Sequence, residues 1–556
     1  RRELLGGPGA GPDGACDILW PAYLRWGESF ADRLTGEFCC ALWDGARKKL
    51  MLARDHIGQR PLFYHCGKRA VYFAAEVHAL RAWPDVPRGI DDAGLARRML
   101  ALAGESSCLA GIGRVLPGQI RVFERGHSRA HFYWQPQQQA PLRLKSHAEY
   151  AAALRAALEL AVRRQLPAAG ALVTRISAGL DSTSVTALAA LELARQGREL
   201  VAVTAVPQAG FDAARWPGVL CNEAPLAALV AQRHANVQHL LLPNDAVSLP
   251  TALRRMTRQW QAPVRGGANT TWICGVERLA AERGARCILG AAAGNLGASY
   301  SGLSSLPRLF AQGRWLRLAQ LARGLHSRGW KWRAVANLVV GAHLSPRSMN
   351  RLRGLAGKPP ELAQRDLVYV RPQFIAECGL DGANGDPGIR TDRRFADDGV
   401  QLRLHLLRMQ DFGPRLAALW SESGCWLADP MADKTLLELC LAIPDEQFMH
   451  GGEPRALFRT AVADLLPPEV LYGKMRGKQS ADQILSLQRS LPEWLRLMEQ
   501  LMAHDMARRV LDLPRMQDML RRLPAADPAP RSHEDLRYTG LINALSAGIF
   551  ILQESA

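Results

Sequence analysis

From Ser177 to Ser184 the chain reads SAGLDSTS, small and hydroxylated residues around a single carboxylate. The apolar segment ALVTRIS (171–177) leads into it, and the helical pattern SVTALAALELARQ leads out. That context suits an anion. A slim turn at the carboxyl end of a parallel strand lets backbone approach a phosphate closely. The next helix then offers unpaired N–H groups and the positive end of its dipole. Ala178 and Gly179 keep the loop slim, Ser177, Ser182 and Thr183 supply hydroxyls, and Leu180 is counted with the same binding loop. Asp181 is tolerated beside phosphates only with a cation between them, so it implies Mg²⁺. The bland reading is a small-residue turn with Asp181 or Ser182 as an ordinary helix N-cap. The strand before, the helix after and the alternating elements around the string favour the phosphate.

Those elements fall into two rhythms. The first ~135 residues are rich in short apolar runs split by turn residues at Asp44-Gly45 and Gly58, with a further strand in KRAVYFAAE (68–76), a pattern of paired antiparallel strands. The polar stretch WQPQQQAP (134–141) breaks the pattern and reads as a linker. Beyond it a helix is expected over 147–165, then strands at 171–177, 199–206, 237–242 and 285–290 separated by helical stretches. Strands alternating with helices of about twelve residues call for a parallel sheet covered on both faces. After residue 300 the pattern is mostly helical, and 380–400 is polar and glycine-rich, the composition of a surface loop.

The 556 residues exceed what one core usually organises, so two domains are expected, at 1–140 and 141–556. With 48% hydrophobic and 22% charged residues, the chain is neither disordered nor fibrous. No apolar run approaches the ~20 residues of a membrane span, and the opening RRELLGGPGAGPDG has no signal-peptide core. The start at Arg rather than Met points to a trimmed N-terminus. Eleven scattered cysteines without a CxxC pair write neither a disulfide framework nor a zinc site, and the 14 histidines do not cluster. A cytoplasmic protein is expected. The net charge of +18 is mostly Arg spread through helical segments, so no nucleic-acid partner is expected.

The loop SAGLDS resembles the SGGxDS pyrophosphate-binding loop of the ATP pyrophosphatases, in the branch that holds asparagine synthetase, β-lactam synthetase and the lasso-peptide macrolactam cyclases. LTGEFCCALWD, ARDHIGQRPLFYH, YFAAE, RVLPGQ and FYW resemble the second half of that family's glutamine-amidotransferase-type domain. ADPMADKTLLELCLAIP, GEPRALFRTAV and LLPPEVLYGKMRGKQSAD resemble its C-terminal helices. The resemblance implies a degenerate αββα amidotransferase-type domain, then a doubly wound α/β ATP-binding domain with a helical extension. It also implies ATP and Mg²⁺ as cofactors. The chemistry implied is attack of a carboxylate on the α-phosphate of ATP, followed by attack of an amine on the acyl-adenylate.

Departures from the family pattern narrow the member. Glutamine-hydrolysing relatives use an N-terminal Cys; Arg1 stands first here and Cys16 reads as a bystander, so no glutaminase activity is expected. In ARCILGAAAGNLGAS (285–299), alignment by the preceding strand puts Asn295 where relatives keep a Mg²⁺-holding Asp, so the resemblance makes Gly294 and Asn295 candidates for contacting ATP and Asn295 a candidate second Mg²⁺ ligand, and Ala292 falls where relatives keep a Glu or Tyr. That version of the loop, ending at Ser299, is similar to the lasso cyclases; alternatively Gly294-Asn295 is only a turn. In LYGKMRGKQSAD, Met475 takes the strict position of the family Lys, leaving Lys474 and Arg476 as candidates for the charge that stabilises the transition state. Asn222-Glu223 occupies the family Asp-Glu position or is a favourable helix start. The Arg- and Trp-bearing stretch 314–338 lines a peptide cavity, touches a membrane surface, or packs on the core.

The expectation is thus a lasso-peptide cyclase joining the N-terminal amine of a precursor peptide to an Asp or Glu side chain. Its implied partners are the core peptide, a leader peptidase and a leader-recognition protein. Asparagine synthetase, a β-lactam-synthetase-like small-molecule ligase, and a pseudoenzyme scaffold are the alternatives.

Overall fold

The computed structural model describes residues 15–102, 104–355, 357, 367–380, 398–410, 412–473, 475–525 and 532–555. Cys16 has no described side chain, and nearly all of the polar segment 380–400 lies outside the described residues.

The N-terminal part is built from short antiparallel strands, as turn residues such as Gly58 (φ 71°) dictate. Strands β1 (Cys39–Asp44), β2 (Lys49–Arg54), β6 (Gln119–Glu124) and β7 (His127–Phe132) form one sheet in the order β1-β2-β6-β7. Strands β3 (Phe63–Cys66), β4 (Val71–Ala74) and β5 (Gly113–Arg114) form a second, ordered β4-β3-β5. Leu52 and Tyr64, from the two sheets, pack together with Val115. On the outer face of the first sheet, Ala22, Tyr23 and Phe30 of the preceding helices cover Met51, Ile120 and Val122. Behind the second, Val77, Leu80 and Leu95 cover Phe63. Helix, sheet, sheet, helix is the expected αββα order.

The stretch 134–141 is not a free tether. Trp134 is buried, and its Nε1 donates to Glu438 Oε1 at 3.1 Å; Leu142 N donates to Ala442 O at 2.8 Å. His56 Nε2 also lies 2.8 Å from Ala432 O, so the two parts of the chain are joined by hydrogen bonds on several elements.

The second part is a five-stranded parallel sheet in the order β11-β9-β8-β12-β13. Its strands are β8 (Ala171–Arg175), β9 (Leu200–Val206), β11 (Val237–Pro243), β12 (Ala285–Leu289) and β13 (Trp426–Ala428). The first four match the expected strands to within two residues; β13 has three residues and carries too little pattern to be read. Leu172, Leu200 and Leu289 face the helices His147–Gln165 and Leu180–Arg195, while Val173, Val203 and Ile288 face Val276 and Leu419 on the other side. Alternating inward residues on both faces are what a doubly wound sheet requires. Strand order reverses at β8, so the loops after β8 and β12 diverge there and open a crevice, the usual ligand position in such sheets. C-terminal helices pack around the buried helix His533–Ser555.

The stretch 314–338 becomes two helices, Trp315–Ser327 and Trp332–Gly341. Leu321, Leu325, Val335 and Val339 bury against Leu306, Leu309 and Met449, whereas Trp315 and Trp332 stay about half exposed. Arg328, Gly329 and Trp330, between the helices, line the main cleft. Among the described residues no helix is long and apolar enough to cross a membrane.

Candidate active site

The crevice at the switch point is a cleft of about 1850 Å³. Ser177 through Ser182 form one wall, and the loop Ala291–Ala293 with Asn295 forms the next. The local sequence sets the shape of the first wall. The helix Leu180–Arg195 begins at Gly179, which provides no side-chain cap, leaving the first N–H groups of the helix open toward the cleft. Ser177 Oγ and Ser182 Oγ lie 2.8 Å apart, Ser182 Oγ accepts from Ser177 N at 3.1 Å, and Ser177 Oγ accepts from Gly179 N at 3.1 Å. These bonds tie the turn into a closed ring. Thr183 sits differently from the expectation. It is fully buried, and its hydroxyl donates to Gly179 O at 2.8 Å, so it braces the loop from behind.

Asp181 is buried on the first turn of that helix, with Oδ1 making no hydrogen bond. Burial pushes its carboxyl up from 3.8 to about 6; the nearby Ser299 hydroxyl and Arg455 guanidinium pull it back, and Asp429 adds to the rise. Gly294 faces it closely: a Cβ there would lie 2.2 Å from Asp181 Oδ1. An orphaned buried carboxylate oxygen at the mouth of a phosphate loop fits a divalent cation. Among the described residues no three His, Cys, Asp or Glu side chains converge as a self-sufficient metal site. Asp181 is thus the side chain that would hold Mg²⁺ here. Asn295, the second expected ligand, is already engaged: Arg455 Nη2 donates to its Oδ1 at 2.7 Å.

Two residues missed in the sequence organise this corner. Asp429, just past β13, accepts hydrogen bonds on Oδ2 from Ala292 N (2.8 Å) and Ala293 N (3.1 Å) and on Oδ1 from Met431 N (3.0 Å). It fixes the loop that carries Ala292 and Asn295. Burial raises its pKa, while those N–H groups and Arg175 lower it. Arg455, in a left-handed conformation (φ 63°), reaches Asn295 from the segment GEPRALFRTAV. Both stood in strings that carried the family resemblance, ADPMADK and GEPRALF, and nothing in their spacing singled them out.

The basic loop closes the far side. Arg476-Gly477 forms β14, pairing in parallel with β10 (Val219–Leu220), so the loop lies beside Asn222 and Glu223. Lys474 and the side chain of Arg476 lie outside the described residues; Met475 is half exposed and lines the cleft. Lys478 Nζ pairs with Asp535, and Asp482 accepts from Gln208 N (2.9 Å) and Asn244 Nδ2 (2.6 Å), so the RGKQSAD string anchors the loop to three other segments. Asn222 Oδ1 accepts from Ala224 N at 3.0 Å, where the helix Ala224–Ala231 begins, in keeping with the helix-start alternative. Glu223 is pressed against Gly477, where a Cβ would meet its Oε1 at 2.2 Å. Burial raises the Glu223 pKa and the Ala178 N–H lowers it, which places this carboxylate next to the phosphate loop.

Residues 153–539 match the asparagine synthase family, and residues 9–134 match a glutamine amidotransferase domain. The chain belongs to the asparagine synthetase family. It is similar to glutamine-hydrolyzing asparagine synthetase 3 of Bacillus subtilis, 23% identical over 472 residues covering 82% of this chain and 69% of that enzyme. It is also similar to carboxyethyl-arginine beta-lactam-synthase of Streptomyces clavuligerus, 31% identical over 34% of this chain and 35% of the relative. A third relative, amidase chry2 of Gibberella zeae, is 28% identical over 33% of this chain and 28% of its own length. The chain is therefore an ATP-dependent carbon–nitrogen ligase of the asparagine synthetase type, a family that works with ATP and Mg²⁺.

The charge geometry gives a pH prediction. A cation at Asp181 would require its ionised form, so activity should fall below pH ~6, about tenfold per unit, as the carboxyl is protonated. Arg455 favours the ionised form. Arg455→Met should move the acid limb to higher pH, losing activity at pH 6–7 while sparing pH 8.5. A pH profile of pyrophosphate release checks this; an unmoved limb would show that Asp181 does not set it.

Proposed function

We propose that this ligase closes the macrolactam ring of a lasso-peptide precursor, joining the peptide's N-terminal amine to an Asp or Glu side chain. The observation that carries the reading is the size and wall of the cleft. At about 1850 Å³ it exceeds the 300–1000 Å³ typical of small-molecule sites, leaving room for a peptide beside the nucleotide. Arg328, Gly329 and Trp330 line one side of the cleft, in a stretch that runs from 291 to 360 without one Asp or Glu and with eleven Arg and Lys. A stretch so rich in positive charge and free of acids attracts a carboxylate-bearing peptide. Ala292, in place of a bulkier polar residue, keeps the reacting corner wide.

The chain's residues divide the work. The ring of Ser177, Gly179 and Ser182 and the open helix start hold the phosphates. Asp181 would hold Mg²⁺, which would neutralise phosphate charge. A substrate carboxylate oxygen attacks the α-phosphorus, and the bond to pyrophosphate breaks. The amine nitrogen then attacks the acyl carbon, AMP departs with the bonding pair, and the amine releases its extra proton. We assign to Lys474 or Arg476 the positive charge that stabilises pyrophosphate departure. The proposed partners are the core peptide, a leader peptidase and a leader-recognition protein.

A small-molecule ligase is the second reading, favoured by the likeness to the beta-lactam-synthase. Incubation with ATP, Mg²⁺ and a candidate precursor separates them. Loss of one water from the peptide with stoichiometric AMP and pyrophosphate is expected. Pyrophosphate release with aspartate and ammonia, giving asparagine, would overturn the cyclase reading.

A further inference from the structure

Arg175 ends β8, two residues before the phosphate loop, yet it belongs to the other side of the sheet. The preceding Thr174 side chain lies 3.0 Å from Thr186 of the nucleotide-side helix, so alternation along the strand turns Arg175 to the opposite face. There it lines the cleft with Trp272, Ile273, Phe412 and Leu416. Its guanidinium lies 5.8 Å from the Trp272 ring and over Gly290, where a Cβ would meet Nη2 at 2.5 Å. Trp272 is itself pinned, its Nε1 donating to Asn269 Oδ1 at 3.2 Å.

No hydrogen bond or ion pair holds the guanidinium among the described residues, and the neighbouring acids are committed elsewhere. Glu277 pairs with Arg415 and, at 3.2 Å, with Arg255. Asp429 gives its oxygens to three backbone N–H groups. Desolvation and the nearby Arg415 pull Arg175 down to about 10, which leaves it charged at neutral pH. Arg175 is only partly buried, so its guanidinium is open to a ligand entering the cleft, and five donors in a planar fork match a carboxylate.

We propose that Arg175, with Trp272 as its wall, forms a second subsite that binds a non-reacting carboxylate of the substrate. The carboxylate that attacks ATP needs a free oxygen, whereas the Arg fork engages both, so the anchored group is a different one: a peptide C-terminus, a second acidic side chain, or the second carboxylate of a small diacid. An apolar or aromatic group next to that carboxylate fits the Trp272, Phe412 and Leu416 walls. This rests on the ligase reading for its place in the reaction, but not for the binding itself.

The deciding test uses the full chain and glutarate as a probe, in thermal-shift measurements without ATP. Glutarate is expected to raise the wild-type midpoint and to leave Arg175→Met unmoved, with Arg175→Lys intermediate. In turnover, Arg175→Met should raise KM for the carboxylate substrate at least tenfold while KM for ATP stays put. Equal glutarate shifts in wild type and Arg175→Met, or no wild-type shift, would overturn the subsite. If no acid supports pyrophosphate release while the glutarate shift still depends on Arg175, the ligase reading fails and the subsite stands.

Discussion

Asp181→Ala is expected to lower pyrophosphate release by roughly three orders of magnitude or more, with the fold intact. The substitution removes the one buried carboxylate of the phosphate loop, whose Oδ1 has no partner among the described residues. A preorganised charge acting in a water-poor site commonly carries effects of this size. Stability should move the other way. Below pH ~4 the carboxyl is protonated in both folded and unfolded protein and burial costs little. As pH rises through about 6 the folded protein must ionise a desolvated group that the unfolded chain ionises freely, and stability falls by an amount on the order of 3 kcal/mol. Asp181→Asn avoids that loss, so at pH 7.5 without Mg²⁺ it should unfold at higher temperature than wild type. Mg²⁺–ATP should narrow the gap by stabilising only the wild type. Near-wild-type pyrophosphate release from Asp181→Ala would refute the role.

Gly294→Ala, a single methyl, is expected to cost at least a hundredfold in adenylation. The added Cβ would lie 2.2 Å from Oδ1 and 2.3 Å from the carboxyl carbon of Asp181, so either the 293–295 backbone or the carboxylate must move. The loop cannot yield easily. Ser299 N and Gly297 N both donate to Gly294 O at 3.0 Å, and Asp429 ties down Ala292 and Ala293. The short buried Asp181 side chain therefore shifts, and misplacement near 1 Å at a reacting centre is worth about 100-fold. Gly294 has no positive φ, so backbone strain plays no part. Single-turnover rates of pyrophosphate release at saturating ATP measure the effect. A rate within threefold of wild type would mean that Asp181 does not need its present position.

Much of this frame was legible in the sequence because it rests on local pattern. The helix at 147–165 and the strand before SAGLDSTS follow from apolar period alone, and the loop announced itself through small residues at a strand–helix junction. Contacts made across long separations were not legible. Asn295 reads as a spare ligand until Arg455, 160 residues on, is seen bonded to it, and Asp429 reads as one acid among many until it is found holding Ala292. Thr183 reads as one more hydroxyl in a phosphate loop, because sequence does not say which residues of a helix's first turn face inward. Arg175 looks like an interruption of an apolar strand; only the fold shows it facing a cleft with no partner.

The central claim is that the bend between β8 and its helix grips the triphosphate of ATP. Hydrogen-exchange mass spectrometry of the full chain, with and without Mg²⁺–ATP, tests it most directly. Slower exchange across residues 177–183 and 292–295 on adding nucleotide, lost in Asp181→Ala, is the predicted result. Protection confined to other segments, with 177–183 exchanging as before, would contradict the account.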